Sequence, residues 1–224
     1  MSPAHHNPEQ DTRTLRRPFF IAFSFALLLW LIKLIELIFG FDLFQYGIYP
    51  RRPDGLMGIV WAPLIHGSMS HLFSNTAPII ILGTTLLYGY PKSAKIVIPA
   101  VCAGSGLGVW LFARSAFHIG ASGLTFGVMF FVFTIGVLRW DRHAITLSLL
   151  VFFLYGGMIW GVFPTAPEIS FESHLFGAAT GVVLALLLKG ADPAPPEKRY
   201  SWEDEEESDS EEEVWPESRS NTGQ

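Results

Sequence analysis

Gly120-Ala121-Ser122-Gly123 opens the apolar run Leu124-Thr-Phe-Gly-Val-Met-Phe-Phe-Val-Phe-Thr-Ile-Gly-Val-Leu138, and the length of that run decides how the chain is read. Ser122 to Leu138 is 17 residues, about 25 Å of helix at ~1.5 Å per residue. A bilayer's hydrocarbon core is about 30 Å thick. Arg139, Asp141 and Arg142 mark one membrane surface, so Ser122 falls several ångströms short of the other. A hydroxyl flanked by glycines is thereby placed inside the membrane, where polar groups are costly and mark function.

The rest of the chain fits that placement. It has 224 residues, 50% of them hydrophobic and 16% charged, with a mean hydropathy of +0.36. That profile excludes an ordinary soluble domain. Six apolar stretches fall near 19–39, 61–88, 94–113, 121–138, 144–163 and 171–188. Backbone groups in lipid must pair internally, so runs this long are helices. The expected fold class is an all-α polytopic membrane protein, a bundle of six transmembrane helices. The first run is too long for a signal-peptide core and reads as a retained span. Cys102 is the single cysteine, which rules out an intramolecular disulfide and a multi-cysteine metal site; its expected role is apolar packing.

Charge divides the chain. Residues 190–224 hold 12 acidic and 3 basic side chains, against 8 and 12 in residues 1–189. The expected organisation is a short cytoplasmic segment over 1–18, a six-helix core over 19–189 and an acidic tail over 190–224. Nine acids among the eleven residues 203–213 predict a disordered tail, a solvated spacer or a dock for a basic partner. Nucleic acid is not an expected partner. With the N-terminus inside, inner loops carry Arg13, Arg16, Arg17, Lys92, Lys95, Arg139, Arg142 and Lys189, and outer loops Arg51, Arg52 and Arg114. Basic residues accumulate inside, so both termini are expected in the cytoplasm of a bacterial inner membrane. The mixed aromatic and polar loop 40–60 reads as a surface-lying segment, and the two prolines of loop 161–170 suggest a flap.

This topology gathers polar residues at one depth. The second span carries His66, His71 and Asn75 in its outer half; the fourth begins at Ser122; the sixth has His174 near its outer end. His71 and Asn75 share a helical face, whereas His66 lies about 140° around a regular helix from His71. A serine hydroxyl becomes a nucleophile when a base takes its proton, and histidine is the natural base near neutral pH. Oxyanion donors are then needed, and the Ser122 N–H with the His71 and Asn75 side chains would serve. Gly120 and Gly123 would leave room for a substrate backbone. Phe126, four residues after Ser122, would orient His174, since no acidic third member is evident. Gly177 and Gly181 would bring the sixth helix against the fourth. Gly104, Gly106 and Gly108 suggest tight packing of the third. Lys33 and Glu36 are three apart on the first span and would pair or snorkel.

These motifs, His66-x4-His71-x3-Asn75, Gly120-Ala-Ser-Gly123 and His174-x2-Gly177-x3-Gly181, resemble those of the rhomboid family of intramembrane serine proteases over roughly residues 19–189. The resemblance implies Ser122 as nucleophile, His174 as general base, His71 and Asn75 at the oxyanion, and His66 in the polar mouth of the site. It also implies single-span membrane proteins as substrates, cut near a small residue, with no metal or organic cofactor. Two positions depart from the pattern. Phe126 stands where tyrosine is frequent, and Ser173 where alanine or glycine is usual. The alternative function is a catalytically silent relative that binds membrane clients, which loss of the serine or histidine would signal; both are present.

Overall fold

The computed structural model describes residues 14–164, 166 and 169–192. Arg13 and the rest of the first 13 residues, Glu168 in the proposed flap, and the tail from 193 onward lie outside the described residues. The architecture is helical throughout, with no strand among the described residues. Among the described residues, six helical segments are long and apolar enough to cross a membrane, the fifth of them only over Arg142–Val162: α1 (Arg16–Phe39), α2 (Met69–Gly89), α3 (Pro91–Phe112), α4 (Ser122–Arg139), α5 (Arg142–Tyr155) and α6 (Phe171–Leu188). A 3-10 segment, Gly156–Val162, prolongs α5.

Several boundaries have a local cause. Ser68 caps α2 by accepting the His71 N–H at 3.0 Å, and Asp141 caps α5 through the Ala144 N–H at 2.9 Å. Both answer donors that a helix start leaves without an internal acceptor. Gly40, with φ +67°, closes α1 in the left-handed region that a Cβ disfavours.

The second apolar stretch differs from the expected span of 61–88. It breaks into single turns, Gly58–Trp61 and Ala62–Leu64, before α2 begins at Met69. Ser68 has extended backbone and hydrogen-bonds forward as a cap, so the helix cannot continue back through it. His66 therefore precedes α2, and the helical-wheel angle to His71 does not apply.

α4 is the centre of the bundle. Phe131 and Val132 are fully enclosed and Ile135 nearly so, in a core shared with Leu86, Val97, Val101 and Ala185 from α2, α3 and α6. α1 packs on α2 through Ala26, Leu29 and Ile79, and Lys33 pairs with Glu36 at 3.0 Å. α6 lies directly on α4. A methyl group at Gly177 would strike the Gly123 carbonyl oxygen, and one at Gly181 the Gly127 carbonyl oxygen. Two small-residue faces thus meet; the α4 face includes Gly127, which sequence reading passed over although Gly123-x3-Gly127 carries the same spacing signal. Gly104 and Gly108 admit Thr180 and Phe176 of α6, and Gly106 admits Ile59.

The segment before α2 folds into short helical turns, Phe44–Tyr46 and Asp54–Met57, besides those already named. It leaves Phe41, Phe44, Tyr46, Leu56, Met57, Val60 and Trp61 exposed. At the opposite end of the bundle, Asp192 turns back from α6. Its carboxylate accepts the Lys92 and Ser93 N–H groups at 2.8 Å each and the Ser93 hydroxyl at 2.6 Å. Arg139 donates to its carbonyl. Asp192 thus caps α3 from a hundred residues away, a job local sequence does not reveal.

Candidate active site

Ser122 is the first residue of α4, and Gly120 places it there. Gly120 has φ +110°, strained for any side chain, and its N–H donates to the Ala62 carbonyl at 2.8 Å. The segment before it is held by a two-way backbone pairing: Ile48 N–H to the His118 carbonyl at 3.0 Å, and His118 N–H to the Ile48 carbonyl at 2.9 Å.

His174 reaches Ser122 from α6. Its Nε2 lies 2.8 Å from Ser122 Oγ, and its Nδ1 lies 2.9 Å from the Gly161 carbonyl oxygen. A carbonyl can only accept, so Nδ1 carries the proton and Nε2 is left as the acceptor for the serine hydroxyl. That is the tautomer a general base requires. The Phe126 ring stacks on the imidazole with centroids 4.0 Å apart and planes 4° from parallel. Orientation is thus supplied by a ring face and a backbone carbonyl. Gly161 is the member sequence reading missed, because a carbonyl leaves no residue-type signal. It sits at the end of the 3-10 segment, where carbonyls run out of internal partners. A Cβ there would come within 2.7 Å of Phe126 Cζ and 3.2 Å of His174 Nδ1. The loop expected over 161–170 accordingly begins at Phe163.

The expected oxyanion donors divide. The His71 ring occupies the space beside Gly120, with Cε1 and Nε2 at 2.8 and 2.9 Å from where a Cβ would stand; Ser122 Oγ is 3.9 Å from that same point. The His71 ring and the Ser122 hydroxyl thus both face the Gly120 turn. Asn75 lies one turn along α2, 6% exposed, with Nδ2 donating to the His71 carbonyl at 2.9 Å. An amide nitrogen has two N–H groups, so one remains. The Ser122 N–H belongs to the first turn of α4, where N–H groups have no preceding carbonyl to bond.

One expectation changes. His66 is 2% exposed and does not line an open mouth; it lies under the serine loop, edge-on to His71 at 5.0 Å between centroids, with Nε2 3.5 Å from the Ala121 N–H. The positions that a Cβ would take at Gly120 and Gly123 are filled by the protein itself. His71 fills the space at Gly120, and Ser105 Oγ, at 2.5 Å from the ideal Cβ position, fills that at Gly123. Their absent side chains make room for the protein's own groups. Gly177 and Gly181 do bring α6 onto α4 as expected. Glu172, two residues before His174, faces Arg114 at 3.6 Å.

The fold and this site define a class: a polytopic helical membrane protein with a serine and a histidine joined across two spans. A family model, the Rhomboid domain, matches residues 53–191. The chain belongs to the rhomboid family. It is 35% identical over 191 residues to uncharacterised proteins of Mycobacterium bovis and Mycobacterium tuberculosis, covering 79% of this chain and 80% of theirs. An uncharacterised Mycobacterium leprae protein is 34% identical over 177 residues, 74% of this chain and 69% of its own.

Proposed function

We propose that the protein is an intramembrane serine endopeptidase acting on single-span membrane proteins, with Ser122 as nucleophile and His174 as base. The observation that carries this reading is the 2.8 Å Ser122–His174 contact combined with the Gly161 carbonyl on the far ring nitrogen. Ser122 Oγ attacks the scissile carbonyl carbon as its proton passes to His174 Nε2. The tetrahedral oxyanion is met by the Ser122 N–H and by donors from His71 and Asn75. His174 returns the proton to the leaving amine, the C–N bond breaks, and an acyl ester remains on Ser122. Water then attacks the ester, giving its proton to His174 and from there to Ser122, and the carboxylate product leaves.

The proposed setting is a bacterial inner membrane with both termini cytoplasmic and Ser122 near the outer face. The count of basic residues supports the orientation, and the mycobacterial relatives support the organism class. The acidic tail would act as a spacer or meet a basic partner.

The test is direct. Purified protein is incubated with a panel of labelled single-span helices. The unaltered protein should cut some of them, with no effect of chelators, and Ser122→Ala should cut none. Cleavage surviving in Ser122→Ala, or activity restored to a chelated sample by zinc, would overturn the proposal.

A further inference from the structure

Facing small-residue surfaces let α4 and α6 approach closely, but closeness alone does not fix the height of one helix along the other. A Ser–His hydrogen bond needs that height to within a fraction of an ångström. The structure has a second device that supplies it. His118, 2% exposed, lies in the segment that leads into Ser122. Its Nε2 is 3.1 Å from the Arg114 carbonyl, so Nε2 carries the proton and Nδ1 accepts. At 2.6 Å from Nδ1 stands Ser170 Oγ, the N-cap of α6. The direction of the chain is then determined. Ser170 O–H donates to His118, and Ser173 O–H donates to Ser170 Oγ at 2.8 Å. The Ser173 N–H meets the same oxygen at 3.4 Å. Ser105 of α3 holds the Ser173 carbonyl at 3.0 Å. Burial pushes the His118 imidazole below its ordinary pKa; the hydrogen bond to the Arg114 carbonyl and the Glu172 charge raise it, and the Arg114 charge lowers it, to smaller extents, in keeping with the neutral ring this bonding requires. Arg114 adds a parallel tie to α6 through the Ile169 carbonyl at 2.7 Å and Glu172 at 3.6 Å.

We infer that His118 is a positioning residue: by accepting the Ser170 hydroxyl at the start of α6, it sets the height of His174 against Ser122. Ser173, the departure from the family's usual small residue, belongs to the same chain of hydrogen bonds. The inference rests on Ser122 and His174 being nucleophile and base.

The experiment uses the full chain in detergent and a fluorescent fluorophosphonate. In the labelling step Ser122 Oγ bonds to phosphorus, the P–F bond breaks, fluoride leaves, and the Oγ proton passes to His174. The maximal labelling rate and the half-saturating concentration are measured separately. His118→Ala should lower the maximal rate about ten- to a hundredfold and leave the half-saturating concentration unchanged. Ser170→Ala should do the same, and the double variant should be no slower, since one bond is lost in each case. His118→Asn, whose Oδ1 stands near the position of Nδ1, should recover most of the rate, as should Ser170→Thr. If His118→Ala does not fold, the Ser170 pair decides. Wild-type rates in the alanine variants would overturn the inference, as would equal losses in the alanine and the conservative variants. An unaltered protein that does not label at Ser122 would instead sink the proposed function.

Discussion

Two serine–histidine pairs lie at the same end of this bundle, and they are built from the same chemical groups. Ser122 meets His174 at 2.8 Å, and Ser170 meets His118 at 2.6 Å. In both, a backbone carbonyl on the far ring nitrogen selects the tautomer that accepts from serine. The serine oxygens differ. A hydroxyl has two lone pairs, and Ser170 accepts from both the N–H and the O–H of Ser173, leaving none with which to attack carbon. Among the described residues Ser122 Oγ has no hydrogen-bond partner besides His174, and it stands at a helix start, facing the Gly120 turn as the His71 ring does. A short Ser–His contact by itself thus does not mark a nucleophile; under the proposed mechanism, the free lone pairs of Ser122 and the donors around it single it out.

The strongest way to break this comparison is to remove each serine. Ser122→Ala and His174→Ala should each lower cleavage of a labelled single-span substrate by at least about 10⁴-fold, whereas Ser170→Ala should retain measurable turnover. The reverse ranking would make the second pair the reactive one. Next comes Asn75→Ala. The loss of an oxyanion donor costs about 10²–10³-fold in rate, and an unchanged kcat would strip Asn75 of that role.

Gly161→Ala attacks the orienting carbonyl. The added methyl group would stand 2.7 Å from Phe126 Cζ and 3.2 Å from His174 Nδ1, so these rings must shift, and a displacement near 1 Å at a catalytic group costs about 10²-fold. Full activity would mean that the ring holds its place without that carbonyl. Phe126→Ala removes the stack on His174; at about 0.5–1.5 kcal/mol for such a pair, kcat should fall several-fold, and Phe126→Leu should recover part of it.

The smallest expected effect on catalysis is from the far end of the bundle. A chain ending at Asp192 should cut substrate as the full chain does. A chain ending at Gly190, or Asp192→Ala, loses the cap on α3 and should unfold at lower temperature, by about 1–3 kcal/mol for buried donors left without a partner. Equal melting of the two truncations would show that the cap contributes nothing.

Much of this was legible in the sequence. The short run after Ser122, the glycine spacing on α6 and the polar residues of three spans all report on the chain's own helical period and on the cost of polar groups in lipid. The break before α2 was less legible, because a stretch that is apolar by composition ended where Ser68 hydrogen-bonds forward. What lies against Gly120 and Gly123 was not legible, because an absent side chain does not say what fills its place. Gly161, His118 and Asp192 act through partners 13 to 100 residues away, and two of the three act on or through backbone atoms that every residue carries.

The sequence alone therefore determined the class of molecule: apolar runs that must be helices in lipid, and a serine and a histidine placed at one depth by helix length and direction. Tertiary structure decided which serine is available, which ring nitrogen faces it, and how α6 is held at its height on α4. Those depend on hydrogen bonds between segments distant in the chain, whose geometry exists only once the helices have packed.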